Sequence, residues 1–127
     1  MQARYVLIYS DGSGVSRFAD HSVALARGFA VPPAEPLFAA DFMETAGCFW
    51  VGAPTEWKGD TAHPTPGRQI FVTVQGAYRI TAGDGEIRDF PVGSVLLLED
   101  VSGEGHSTRI TSDEDCLVFA VRVPADE

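Results

Sequence analysis

Positive charge is scarce in this sequence: 9 Lys plus Arg stand against 18 Asp plus Glu, a formal net charge of -9. That is the wrong sign for phosphate backbones and for anionic lipid, so nucleic acid and membrane surfaces drop out as partners. The acids are spread along the chain except at 113–115 and 126–127, and they read as a solubilising surface. Cysteine is scarce too. Cys48 and Cys116 each sit inside an apolar run, which reads as two small buried hydrophobes rather than a disulfide or a nucleophile. Long apolar runs are missing, with no stretch the length of a membrane helix or a signal core, so a cytoplasmic protein is expected. At 127 residues and 45% hydrophobic composition the chain makes one domain, 1–127, with a flexible tail expected at 124–127. A domain of this size buries roughly two-thirds of its unfolded surface.

Helical periodicity is the other absence. The best helix candidate, 34–44, contains Pro36 and too few apolar positions at helical spacing. Instead, 13 glycines and 8 prolines cut the chain into short apolar pieces rich in Val, Ile, Phe and Leu. Strands are expected at 5–9, 16–25, 42–51, 68–75, 77–81, 86–90, 94–100, 106–111 and 116–123, with Asp84-Gly85 as a hairpin turn. Three prolines keep 29–36 from being regular helix or central strand, and 57–67 reads as a loop stiffened by Pro64 and Pro66. Regularly spaced short strands with Gly/Pro turns define an all-β sandwich or barrel with little helix.

Of three histidines, His21 lies in a strand-like run and reads as structural. His63 sits in the proline-stiffened loop, and His106 opens a strand behind Gly103-Glu104-Gly105. Strand entrances converge at a barrel mouth, so the two can meet there. If Gln69 faces inward, alternation brings Phe71, Thr73 and Gln75 to the same face and sends Arg68 outward, towards a salt bridge. Trp50 is expected in the core, and Trp57, just before the His63 loop, against the pocket.

These residues resemble the two motifs of the cupin superfamily, small jelly-roll barrels. His63 takes the place of the first motif's first histidine, Thr65 that of the second, Gln69 that of the glutamate, and Gly76 that of the closing glycine. Pro91-Val92-Gly93 and His106 match the second motif's Pro-x-Gly turn and histidine. More closely, His-Pro-x-Pro-x-Arg-Gln and Leu-Leu-Glu-Asp-x-x-Gly-x-Gly-His resemble a subgroup of small bacterial cupins. The resemblance implies a single cupin-type jelly-roll β-barrel. It also implies a divalent metal (Zn, Fe, Ni or Mn) with His63, Gln69 and His106 as its remaining ligand positions. Thr65 and Gln69 replace a histidine and a carboxylate, which weakens such a site unless Asp60, Glu99 or Asp100 substitutes.

The same groups also make a metal-free acid–base site. Imidazole trades protons near neutral pH, and a carboxylate such as Glu99 or Asp100 fixes its tautomer. The competing reading of Glu99 and Asp100 is a strand end whose carboxylates cap the loop that follows. The expected function is a small-molecule enzyme of isomerase, lyase or cyclase type working by general acid–base chemistry with or without a divalent metal, with His63, His106 and Glu99 catalytic and Trp57, Thr65, Gln69, Phe71 and Thr73 binding substrate. The rivals are a non-catalytic ligand-binding module and a metal-dependent oxygenase. A homodimer is expected through 3–9 or 16–25.

Overall fold

A computed structural model describes residues 1–125, so the acidic pair at 126–127 and the end of the expected tail lie outside the described residues. The chain is all-β, with twelve strands and no helix among the described residues. In order these are β1 (Gln2–Ser10), β2 (Ser16–Ala24), β3 (Ala26–Phe29), β4 (Leu37–Ala39), β5 (Cys48–Ala53) and β6 (Lys58–His63). There follow β7 (Gln69–Gln75), β8 (Tyr78–Thr81), β9 (Ile87–Phe90), β10 (Val95–Glu99), β11 (His106–Ile110) and β12 (Cys116–Arg122). With no helix, nothing among the described residues is a helix long and apolar enough to cross a membrane.

Six strands form one sheet in the order β2-β1-β10-β7-β12-β5, four form a second in the order β6-β11-β8-β9, and β3 and β4 form a separate hairpin. Each large sheet ends in edge strands, so the strands do not close into the continuous barrel expected. All pairings are antiparallel except β1 with β10, where Val6 to Tyr9 lie beside Leu96 to Glu99. The core joins both large sheets: Ile8, Phe18, Leu96, Leu98, Cys116 and Val118 from the first meet Tyr78, Ile80 and Phe90 from the second. Tyr78 stacks on Phe90 at 5.0 Å between ring centroids, a geometry that adds to the area buried.

Several expectations are corrected. The strand expected over 42–51 begins only at Cys48, and the expected loop at 57–67 contains β6. Residues 58–63 carry almost no apolar alternation, and β6 forms because β11 offers it a paired edge. Cys48 is exposed rather than buried, and Trp50 is 64% exposed, resting edge-on against Phe119 instead of entering the core. Both follow from alternation in β5: Val51 and Ala53 pack against the core, so Cys48 and Trp50, at the alternate positions, face outward.

Candidate functional site

Strand register brings the two histidines together. β6 runs antiparallel to β11 with His63 directly opposite His106, and their rings lie 5.4 Å apart at 55°. Gly105 makes the approach possible. Its φ is +73°, and a Cβ there would overlap the His63 carbonyl and the Pro64 nitrogen, so only glycine fits. The Gly105 carbonyl accepts a 2.7 Å bond from the fully buried Ser16 hydroxyl, and the Glu104 N–H donates to Gly14 O at 3.1 Å. The β1–β2 turn therefore anchors the loop that delivers His106.

Asp100 follows the end of β10, is 0% exposed, and places Oδ2 against His106 Nδ1. Its backbone carbonyl accepts the Thr65 N–H at 3.0 Å, which fixes it to the loop carrying His63. A carboxylate facing an imidazole takes the proton-bearing nitrogen as its donor, so Nδ1 carries the hydrogen and Nε2 keeps the lone pair. His63 repeats the arrangement with a weaker partner: its Nδ1 lies 3.1 Å from the Pro64 carbonyl, which can only accept. Both histidines thus hold an unprotonated Nε2 in their neutral form. The second carboxylate oxygen of Asp100 is buried and makes no hydrogen bond within the described residues.

Both histidines line a cavity of about 260 Å³ between the two large sheets. Val51, Phe71, Leu98 and Val118 wall it on one side, and Ile80 and Ile110 on the other. Trp57, half exposed, stands at its edge with its indole lying over Gly59, where a Cβ would overlap the ring. Tyr78 and Cys116 also line it, and burial pushes both the phenol and the thiol up, so each stays neutral.

Of the residues expected at the site, His63, His106, Trp57, Thr65, Gln69 and Phe71 line this cavity together. Thr73 is buried but lies beyond the wall. Glu99 takes the other side of β10, where Arg68 Nε donates to it at 2.6 Å and Nη2 completes an ion pair. Asp100, not Glu99, is therefore the carboxylate on His106. Asp60 is exposed on β6 and is not on the wall. Gln69 spends both ends of its amide: Oε1 accepts from Arg122 Nε at 3.0 Å, and Nε2 donates to Thr65 Oγ1 at 3.1 Å. Thr65 in turn donates to Gly67 O at 2.8 Å. Arg122, which the sequence did not single out, is the residue opposite Gln69 on β12, and only strand register reveals it.

This donor set fits the divalent metal of the cupin resemblance poorly. Two imidazole nitrogens remain available, whereas a catalytic zinc site takes three protein ligands. No group of three or more His, Cys, Asp or Glu side chains is placed to hold an ion among the described residues. The chain matches no protein-family model, and no curated protein is significantly similar to it.

Proposed function

We propose that the protein is a small-molecule enzyme of isomerase, lyase or cyclase type, working by general acid–base chemistry in this cavity on a cupin-like jelly roll built from the two large sheets. The observation that carries the reading is the buried Asp100–His106 pair with His63 beside it on the wall of an apolar cavity. His106 Nε2 accepts a proton from a C–H or O–H of the substrate, and the Asp100 carboxylate offsets the imidazolium charge. The proton then returns to a second substrate atom, directly or through His63. One X–H bond breaks, another forms, and no oxidant or metal takes part. The substrate is a small organic molecule, nucleic acid and membranes are not partners, and the cytoplasm is its place of action.

Solvent-proton wash-in tests this without knowledge of the substrate. A panel of hydroxycarbonyl compounds and phenols is incubated with the protein in D2O, and loss of C–H signal is followed by NMR. Enzyme-dependent deuteration that His106→Ala abolishes and His63→Ala slows is the expected result. Binding without any exchange would make the domain a ligand-sensing module instead.

We also propose a homodimer. Of the two segments expected to pair, β1 is hydrogen-bonded on both sides, whereas β2 is an edge strand. The apolar surface lies elsewhere: Phe29, Phe38, Phe42, Phe49 and Trp50 are 38–93% exposed. Alternation in β5 turns Phe49 to the side opposite Trp50; at ~200 Å² per aromatic side chain the other four leave roughly 500 Å² to water, against the ~800 Å² each partner buries in a stable interface. A second copy of the chain covering residues 29–50 is the occupant that fits. Light scattering on the Phe42→Ser/Trp50→Ser double variant is expected to show monomer where the parent shows dimer. A monomeric parent overturns it.

A further inference from the structure

We propose that the cavity selects a neutral molecule that donates hydrogen bonds, an apolar skeleton bearing adjacent hydroxyls as in a catechol or an enediol, over carboxylates, phosphates and amines. This rests on the acid–base reading above and goes beyond it by naming the ligand's chemistry.

The Asp100 carboxylate and the Pro64 carbonyl each claim an Nδ1–H, so both rings are left with an acceptor at Nε2. The two rings, 5.4 Å apart between centroids and both on the cavity wall, offer one acceptor each, which two hydroxyl donors on one small molecule would satisfy. Charge decides against anions. No Lys or Arg lines the cavity among the described residues. Nearby, Arg122 is spent on Gln69 and the Phe49 ring, and Arg68 binds Glu99. A carboxylate or phosphate entering here would lose its hydration, gain no counter-ion, and meet two lone pairs with a buried carboxylate behind one of them. An ammonium fares little better, because its hydration is lost against apolar walls and the Asp100 charge already serves His106. Size and shape favour a single ring or its equivalent: 260 Å³ falls just below the range of pockets for drug-sized ligands, and Phe71, Leu98, Val118 and Trp57 supply apolar contact.

The test uses the unmodified protein and four probes of one size: catechol, 1,2-dimethoxybenzene, benzoate and benzylamine. Binding is measured by calorimetry, and the imidazole nitrogens are followed by 15N NMR at mildly alkaline pH. Catechol is expected to shift Nε2 of both His63 and His106 and to bind about tenfold or more tighter than its dimethyl ether, since methylation removes two hydrogen bonds. Benzoate and benzylamine are expected to bind more weakly than catechol by at least the same factor. His63→Ala, at an exposed position, is expected to reduce the catechol preference to about threefold. Equal affinity for catechol and its ether, tighter benzoate or benzylamine, or no catechol binding at millimolar concentration overturns the inference. The spectrum of the free protein separates the two levels of the argument. A His106 found as the Nε2–H tautomer removes the acid–base reading itself, whereas the Nδ1–H tautomer without a catechol preference removes only the ligand class.

Discussion

Replacing Gly105 with alanine perturbs the point where the His106 loop touches the His63 strand, and its cost can be worked out in two parts. The first is the backbone: at φ +73° an L-residue costs about 1–2 kcal/mol relative to glycine. The second is the collision. The new methyl would overlap the His63 carbonyl and the Pro64 nitrogen, which are main-chain atoms and cannot swing aside as a side-chain tip would. Overpacking of this kind costs about 1–3 kcal/mol, for a total of about 2–5 kcal/mol. At ~2.1 cal/mol/K per residue over 127 residues, each kcal/mol lowers Tm by about 4 °C, so the expected fall is roughly 8–18 °C. Gly85→Ala is the matched control, because Gly85 has φ +92° and nothing within 4 Å of the added carbon. It is charged only for the backbone, roughly 4–8 °C. Calorimetric melts of the two variants beside the parent provide the measurement, and imidazole NMR of Gly105→Ala is expected to show His63 displaced from His106. Melting temperatures lowered equally by both substitutions would refute the claim that Gly105 is where the two strands are held in contact.

Asp100→Asn keeps the shape of the pair and removes its charge, so solvent-proton wash-in is expected to fall by about a hundredfold; an unchanged rate would take Asp100 out of the mechanism. Cys48 is exposed and is expected to react with iodoacetamide at once. Cys116, whose thiol burial raises above its ordinary 9.0, is expected to label only as pH climbs past that value, and more slowly with catechol bound; equal rates for both cysteines would contradict its place on the cavity wall. The Arg79 guanidinium holds the Asp89 carboxyl below its ordinary 3.8, so the pair's contribution is complete above that pH and is lost as pH falls through the lowered value. The Tm difference between the parent and Asp89→Asn is therefore expected to be small, present at pH 6, and to close below about pH 4; a difference that widens in acid would reverse the sign of the argument.

How much of this was legible in the chain follows from what periodicity can and cannot carry. Turn residues and short Val/Ile/Phe/Leu runs mark most strands, because both signals are local. Alternation told which residues share a face, as with Gln69 and Phe71, but not which face meets the core. Trp50 shows the difference. Its face is the outer one because Val51 and Ala53 on the other face of β5 meet the core, and which face the core covers is a non-local fact. β6 was hidden for a similar reason: Lys58–His63 carries no apolar stripe, and the strand exists through its pairing with β11. The choice between Glu99 and Asp100 turned on one step of register. In a strand they point to opposite sides, but residues 95–98 are apolar at every position, so no polar neighbour marks which side is which. The structure aligns Asp100 with buried Leu98 and turns Glu99 to Arg68.

That alignment makes Asp100 the residue that strains the local rules most. A strand reading Val-Leu-Leu-Leu-Glu delivers next a fully buried carboxylate, whose desolvation costs several kcal/mol per ion before any partner is counted. Stability alone does not call for it, because an apolar pair of similar volume is often as stable or more so, while removing one partner from such a pair costs about 3–5 kcal/mol. A histidine 4% exposed with that carboxylate on one nitrogen and an apolar cavity beside it is an arrangement that folding does not require and proton transfer does. Replacement of the whole pair separates the two roles. Asp100→Leu/His106→Phe is expected to melt within a few degrees of the parent or above it, while Asp100→Leu alone melts at least about 10 °C lower. A double variant as unstable as the single one would make the pair structural and would remove the main reason for reading the cavity as an acid–base site.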